Sequence, residues 1–470
     1  MLSERDAPII AVATPPGKGA VGMVRISAKG LYVFANALCQ QSLEPRRAYL
    51  VDIRDDNGQM VDQVLALFFP APHSYTGEDV LELQGHGGPV VMSMLVERCL
   101  AFAQKKNVGL AGLRLAQPGE FTQRAYLNHK MDLAQAEAVS DVIDAQTQAA
   151  VRSAGRSMVG AFSKHVKTLQ EQLLRARMLV EASLDFPEED IDFVTQADVA
   201  GLVQTMQQEV DVLCAKTRQG ALLRDGMKMV IAGQPNAGKS SLLNALTGQD
   251  TAIVTPVAGT TRDVLTQTIS MEGVPVHVVD TAGLRDTNYV DEVEKIGIER
   301  AWAQVADADV VVLLHDLSRT QDAYYEEDQT ALINQIMLQK NSQSPLLQVF
   351  NKTDLLAKQS QSVSDRAAFY ISAKTGQGLQ ELRAHLLKSV GWQAEHQEGV
   401  FSARQRHVHA LEQAQTHLGQ ALGVLQAANP ALDLLAEELR CAQHQLSCLT
   451  GNMSADDLLG EIFSRFCIGK

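Results

Sequence analysis

The chain has 470 residues, 46% of them hydrophobic and 20% charged, and a net charge of −14. That length exceeds one hydrophobic core, so about two to four domains are expected. No apolar run is long enough to span a bilayer, which excludes a helical membrane protein. The acidic balance excludes a protein that grips nucleic acid through a pervasive basic surface, so any RNA must be held by a local patch or a partner. The six cysteines (39, 99, 214, 441, 448 and 467) form no Cys-x-x-Cys pair, and the polar start Met1–Asp6 carries no signal or transit peptide. A reducing, cytoplasmic setting is expected, with neither a disulfide framework nor a zinc ribbon.

Residues 1–128 read as α+β. Strand-like runs cover Ile9–Ala13, Gly22–Ile26, Ala48–Asp52, Val64–Phe69 and Val80–Gln84, and a helix follows Pro89 to Phe102. From Met131 to Leu184 glycine and proline nearly vanish, and apolar residues recur three and four apart, the pattern of long helix. The acidic, proline-containing Phe186–Asp192 breaks the run before a further helix over Ala197–Leu222. Residues 226–390 alternate short apolar strands (Met229–Ala232, Val276–Val279, Val310–Leu314, Leu346–Phe350) with helices, as a buried parallel sheet requires. Helices return over Arg404–Leu425, Ala431–Leu449 and Ala455–Phe466. The expected fold is an α+β N-terminal domain (1–128) and an all-α domain in two halves (129–225 and 391–470), with an α/β P-loop domain of the Ras-like class (226–390) inserted between them.

Five segments of the inserted domain describe a guanine-nucleotide site. Gly233-Gln-Pro-Asn-Ala-Gly-Lys-Ser240 follows a strand and opens a helix, the context of a phosphate loop. Its glycines let backbone N–H groups wrap the phosphates, with Asn236, Ala237, Gly238 and Ser241 contributing to the cradle. Lys239 is expected on the β- and γ-phosphates and Ser240 on magnesium. Gly259-Thr-Thr-Arg-Asp263 adds Gly259, Thr260 and Thr261 to the nucleotide contacts. In Asp280-Thr281-Ala282-Gly283 the aspartate reaches magnesium through water and Gly283 senses the γ-phosphate. Asn351-Lys352-Thr-Asp354 specifies guanine, because the Asp354 carboxylate accepts from both N1–H and the exocyclic amine, a donor pair that adenine lacks. Ser372-Ala373-Lys374 backs the base.

The residue after Gly283 is Leu284, an apolar side chain where Ras-like proteins carry a water-orienting glutamine. Another group must orient the water. Asp291, Glu292 and Glu294 are candidates, though each alone reads first as a solvated helix face. The positive charge on the transferring phosphate is also unassigned: Arg262, Arg285 or a monovalent cation on the Asn236 amide oxygen would supply it. His73 and His86 lack a metal-ligand pattern, Cys467 sits in a poor prenylation context, and Asp185–Asp192 lacks the spaced ligands of an EF-hand.

With these segments in view, the whole chain resembles the MnmE (TrmE) family, GTPases of tRNA wobble-uridine modification. The resemblance rests on Gly77–Gly88 (GEDVLELQGHGG), on Pro118–Glu137 (PGEFTQRAYLNHKMDLAQAE) and on the terminal Phe466-Cys-Ile-Gly-Lys470 as well as on the GTPase motifs. It implies an N-terminal domain that dimerises and binds a reduced folate (5,10-methylene- or 5-formyl-tetrahydrofolate) through Arg25, Glu82, Lys130 and Lys470. It implies potassium on Asn236, Thr255, Val257 and Thr260, magnesium on Ser240 and Thr261, and Glu294 as the catalytic carboxylate, at an interval from Asp280 two residues longer than is common in the family. The implied partners are tRNA and MnmG, an FAD- and NADH-using protein, in a heterotetramer or larger assembly. Two other readings stay open: a ribosome-assembly GTPase with the same motif set, and a folate-binding scaffold in which GTP is structural.

Overall fold

The computed structural model describes residues 6–105, 108, 110–185, 194, 197–247, 266–280, 292–319, 322–355, 368–393, 399–451, 462–464, 466, 467 and 469. They fall into two compact units, residues 1–140 with 447–470, and residues 141–446. No helix among the described residues is long and apolar enough to cross a membrane.

The first unit is built on a six-stranded sheet in the order β3-β4-β5-β2-β1-β6. The strands are β1 Ile9–Val12, β2 Val21–Ala28, β3 Tyr49–Arg54, β4 Met60–Phe69, β5 Asp79–His86 and β6 Arg114–Leu115. All neighbours pair antiparallel except β1 with β6. Alternation puts Val64, Ala66 and Phe68 of β4 and Leu81 and Leu83 of β5 on one face, where α1 (Tyr32–Cys39) and α2 (Pro89–Ala103) cover them. The five predicted strands are each found, β2, β4 and β5 longer, β1 one residue shorter and β3 shifted toward Arg54; α1, α3 (Glu120–Leu127) and β6 are additions.

A buried ion network ties α3 to the sheet. Arg124 donates to Glu78 (2.9 Å), to Glu120 (3.0 Å) and to the Ala7 carbonyl (2.6 Å), and Ser27 Oγ donates to Glu78 (2.8 Å). Glu120 also receives both Arg114 amino groups, at 2.8 and 2.7 Å. Burial pushes the Glu120 carboxyl up; the bonds from Arg114, the Gln117 N–H and Arg124 outweigh that and hold it below the ordinary carboxylate value.

The described C-terminal residues belong to the same unit. Phe463 and Phe466 pack with Leu133 and Ala136. Gly119 N donates to Cys467 O (3.3 Å), and Gly469, at φ +98°, passes so close to β1 that a Cβ would lie 2.5 Å from Val12 O. Most of the helix expected over 455–466 falls on residues 452–461 and 465, outside the described residues.

Helix α4 covers Leu133–Asp144, across the boundary at residues 140 and 141. The second unit continues with α5 (Gln148–Met158), α6 (Ala161–Asp185) and α7 (Val199–Asp225). The helical texture from Met131 to Leu184 thus resolves into three helices. Thr147 caps α5, its hydroxyl accepting from Ala150 N, and Gly160 at φ +86° starts a new direction before α6. Helix α12 (Gln405–Leu425) lies along α7, and α13 covers Leu432–Thr450.

Inserted between α7 and α12 is a second six-stranded sheet, order β12-β11-β10-β7-β9-β8. Its strands are β7 Met227–Gly233, β8 Thr266–Met271, β9 Val274–Asp280, β10 Val310–Asp316, β11 Leu346–Asn351 and β12 Ala368–Tyr370. All pairs are parallel except the β8–β9 hairpin. The helices of this domain are α8 (Lys239–Thr247), α9 (Glu292–Ala306), α10 (Ala323–Gln339) and α11 (Leu379–Ser389). Every residue of β10 is buried, as a central parallel strand demands.

Asp141 holds both chain crossings into this inserted domain. It accepts from Arg224 Nε (2.8 Å) at the entry and from Arg404 Nη2 (3.0 Å) and Ser402 Oγ (2.7 Å) after the exit.

Candidate functional site

The C-terminal ends of the parallel strands gather the nucleotide motifs, where an open α/β sheet binds its ligands. β7 ends at Gly233, β9 at Asp280 and β11 at Asn351, while Ser372 follows β12. Between β7 and α8 the phosphate loop turns through Asn236 at φ +64° and Gly238 at φ +100°. Lys239 Nζ donates to Gly233 O (2.8 Å) and Gln234 O (3.3 Å), which folds the ammonium back over the loop. Ser240, in the first turn of α8, is exposed.

Asn351 joins three of the motifs. Its Nδ2 donates to Ala237 O of the phosphate loop (3.0 Å), and its Oδ1 accepts from Ala373 N (3.0 Å). A Cβ on Gly238 would lie 2.3 Å from Asn351 Nδ2, so the glycine is what lets this amide reach the loop. Ser372, fully buried, donates through Oγ to Asp354 Oδ1 (2.7 Å) and accepts from Thr375 N (3.2 Å), fixing the orientation of the Asp354 carboxylate. Lys352, at φ +71°, pairs with Asp316 Oδ2 (2.5 Å) at the end of β10. Burial pushes Asp316 up, but Lys352 and Ser318 outweigh it and hold the carboxyl below its ordinary value. The sequence reading missed Asp316; an acid closing the central buried strand was the available signal. Next to it, burial drives His315 down to about 4, so it is neutral at pH 7 and packs on Phe350 at 4.4 Å.

Asn236, Ala237, Gly238, Lys239, Ser240, Ser241, Asn351, Lys352, Asp354, Ser372, Ala373 and Lys374 thus cluster at one end of the sheet. Thr255, Val257, Gly259, Thr260, Thr261, Thr281, Ala282 and Gly283 lie outside the described residues, and Glu294 is placed as a backbone position in the first turn of α9.

A second polar cluster lies in the first unit. Arg25 and Glu82 are register partners on β2 and β5 and form an ion pair, Nε to Oε1 at 2.9 Å. The Arg25 guanidinium sits between the rings of Tyr75 (5.5 Å) and Phe121 (5.8 Å), and its Nη1 donates to Gly469 O (3.3 Å). The chain terminus therefore meets Arg25, while Lys470 itself lies outside the described residues. Lys130 Nζ donates to Pro72 O (2.9 Å), and its stem lines Gly77. The two rings flanking Arg25 were not singled out from sequence, although Phe121 lies within the Pro118–Glu137 signature. His86 Nδ1 is paired with the buried Asp62 (2.7 Å), and among the described residues no group of His, Cys, Asp or Glu has the arrangement of a metal centre.

Comparison with known proteins covers the whole chain. The family model described as the GTP-binding protein TrmE N-terminus matches residues 8–130, and that of the MnmE helical domain matches residues 133–467. The tRNA modification GTPase MnmE of Acidovorax sp. (strain JS42) is 54% identical, and that of Polaromonas sp. (strain JS666) is 57% identical, each over 100% of both chains. Among solved structures, the G domain of the T. maritima FeoB iron transporter aligns at 26% identity with a TM-score of 0.26, covering 35% of this chain and 98% of that one; the assignment does not rest on it. By the two family models and the full-length relatives, the chain belongs to the MnmE (TrmE) family of tRNA modification GTPases.

Proposed function

We propose that this chain hydrolyses GTP in a potassium-dependent cycle that drives formation of a carboxymethylaminomethyl-type group on carbon 5 of the wobble uridine of certain tRNAs. It works as a cytoplasmic homodimer joined through the N-terminal domain, with an FAD-dependent MnmG-type partner and a tetrahydrofolate one-carbon unit. The observation that carries the nucleotide half is the Asn351 bridge between the phosphate loop and the loop of Ser372 and Ala373, which suits a guanine pocket continuous with a phosphate cradle.

The residues present fit the ions and the folate. The exposed Ser240 offers a hydroxyl at the helix start, the chemistry of a magnesium ligand, and the exposed Asn236 offers an amide oxygen for potassium. Thr255, Val257, Thr260 and Thr261 complete those sets in this proposal. Arg25 with two aromatic rings and a carboxylate beside it suits a flat pterin and its acidic tail. Lys130 and Lys470 would add positive charge. In catalysis, Lys239 holds the β- and γ-phosphates, the backbone around Gly238 stabilises the developing charge, and Glu294 orients the attacking water in place of the side chain at Leu284. Magnesium supplies charge neutralisation on the phosphates when bound.

Potassium should raise the hydrolysis rate several-fold above sodium at equal ionic strength. In the same assay Glu294→Gln should cost about 100-fold in kcat with nucleotide affinity unchanged, the loss expected on removing a group that acts in the transition state alone. Equal rates in the two salts would remove Asn236 from its role, and a fully active Glu294→Gln would remove Glu294.

A further inference from the structure

The β8–β9 hairpin is the stretch of chain between two nucleotide motifs: it follows Gly259-Thr-Thr-Arg-Asp263 and ends on Asp280. Its seven-residue second strand spans about 20 Å from the nucleotide end to the tip. The tip turns through Glu272 (φ +49°) and Gly273 (φ +89°) and is seated on the helical segment of the same unit. Thr147 Oγ1 donates to Gly273 O at 2.7 Å, and the same oxygen accepts from Ala150 N at 3.1 Å as the cap of α5. The contact is close-packed: Thr147 is buried, and a Cβ on Gly273 would lie 2.6 Å from the Ala149 Cβ.

The tip half of β9 is seated as well. A Cβ on Gly226 would lie 2.4 Å from Pro275 O, and His277 bridges Asp225 O (3.2 Å) and Thr268 Oγ1 (3.0 Å). A slide of the hairpin along its own axis would strain the Thr147–Gly273 bond.

We propose that Thr147 is a positioning residue of the GTPase cycle, the point at which the helical segment reads the nucleotide state through the β8–β9 hairpin. One hydroxyl serves both the hairpin tip and the α5 cap. A shift of the hairpin between the GTP and GDP forms changes the donor half of that pair and loads or unloads the first turn of α5. Coupling of this kind is reciprocal: if the nucleotide moves the contact, changing the contact moves nucleotide preference.

The test uses the full-length protein and measures the ratio of affinities for a non-hydrolysable GTP analogue and GDP, with hydrogen exchange of residues 148–158 in each state. Thr147→Val removes both bonds, Thr147→Asp keeps the cap acceptor but cannot donate to Gly273 O, and Thr147→Ser keeps both. Val and Asp should each shift the affinity ratio by about fivefold or more and abolish the nucleotide dependence of exchange in α5, and Ser should restore both. A ratio unchanged within twofold in Thr147→Asp, with wild-type nucleotide dependence of exchange, would overturn the proposal and leave Thr147 a helix cap alone. A wild-type protein with no nucleotide-dependent exchange in α5 would overturn it equally.

Discussion

Asp354→Asn is expected to lower GTP affinity about 100-fold while leaving the protein folded, and to turn preference toward xanthosine triphosphate. The magnitude follows from two charge-assisted hydrogen bonds to the base, each worth about 1.5–3 kcal/mol, one of which is replaced by an unfavourable donor–donor contact. The direction follows from the structure. Ser372 Oγ donates to Asp354 Oδ1, and an asparagine presents the same acceptor there, so its amide nitrogen takes the other position. That nitrogen suits the carbonyl that xanthine carries where guanine has its amine. Equilibrium binding of the two triphosphates checks this. Unchanged GTP affinity would contradict the assignment of Asp354 to the base. Loss of both nucleotides would point instead to a collapsed Ser372–Asn351 scaffold.

Arg124→Met should strongly destabilise the first unit. Arg124, 4% exposed, serves Glu78, Glu120 and the Ala7 carbonyl. The methionine fills most of its volume but leaves Glu78 buried beside Ser27 without its cation. Removing one partner of such a pair costs about 3–5 kcal/mol. The expected result is early loss of hydrogen-exchange protection in β1, β2 and α3 on heating, with the inserted GTPase domain less affected. The same network sets an acid limit. The Glu120 pKa is depressed in the folded protein, so its contribution is fully present above the ordinary carboxylate pKa and is lost as pH falls through the lower folded value. Stability indifferent to Arg124→Met would mean that the buried carboxylates are held by other groups.

The nucleotide end was legible because each motif acts through local backbone. A strand that stops at Gly233 and a helix that starts at Lys239 already define the cradle, and the apolar runs flanking it define a parallel sheet. What local pattern could not give was partnership across sequence. Asn351 reads as a base contact; the structure adds its hold on Ala237 and Ala373. Arg124 reads as one charge in a signature segment, and nothing local marks it as the buried centre of three acceptors. Helix α1 was missed because Tyr32, Val33 and Phe34 at its start suit a strand as well as a helix. Strand β8, Thr-Gln-Thr-Ile-Ser-Met, was missed because four of its six residues are polar. The seating of Gly469 against β1 required the two ends of the chain to meet.

Glu294 stands differently. Its place in the first turn of α9 suits any acidic residue, because the helix dipole favours negative charge there. The same holds for Glu292, so the catalytic role proposed for Glu294 comes from the family resemblance.

The most direct measurement is mass spectrometry of wobble uridines in tRNA from cells lacking this chain, complemented by the wild-type gene or by Asp354→Asn. The account predicts that the aminomethyl-type group is absent without the gene, returns with the wild type, and fails to return with Asp354→Asn. Unchanged wobble uridines in the deletion would contradict it and favour a ribosome-assembly role. Full restoration by Asp354→Asn would separate the modification from guanine-nucleotide binding.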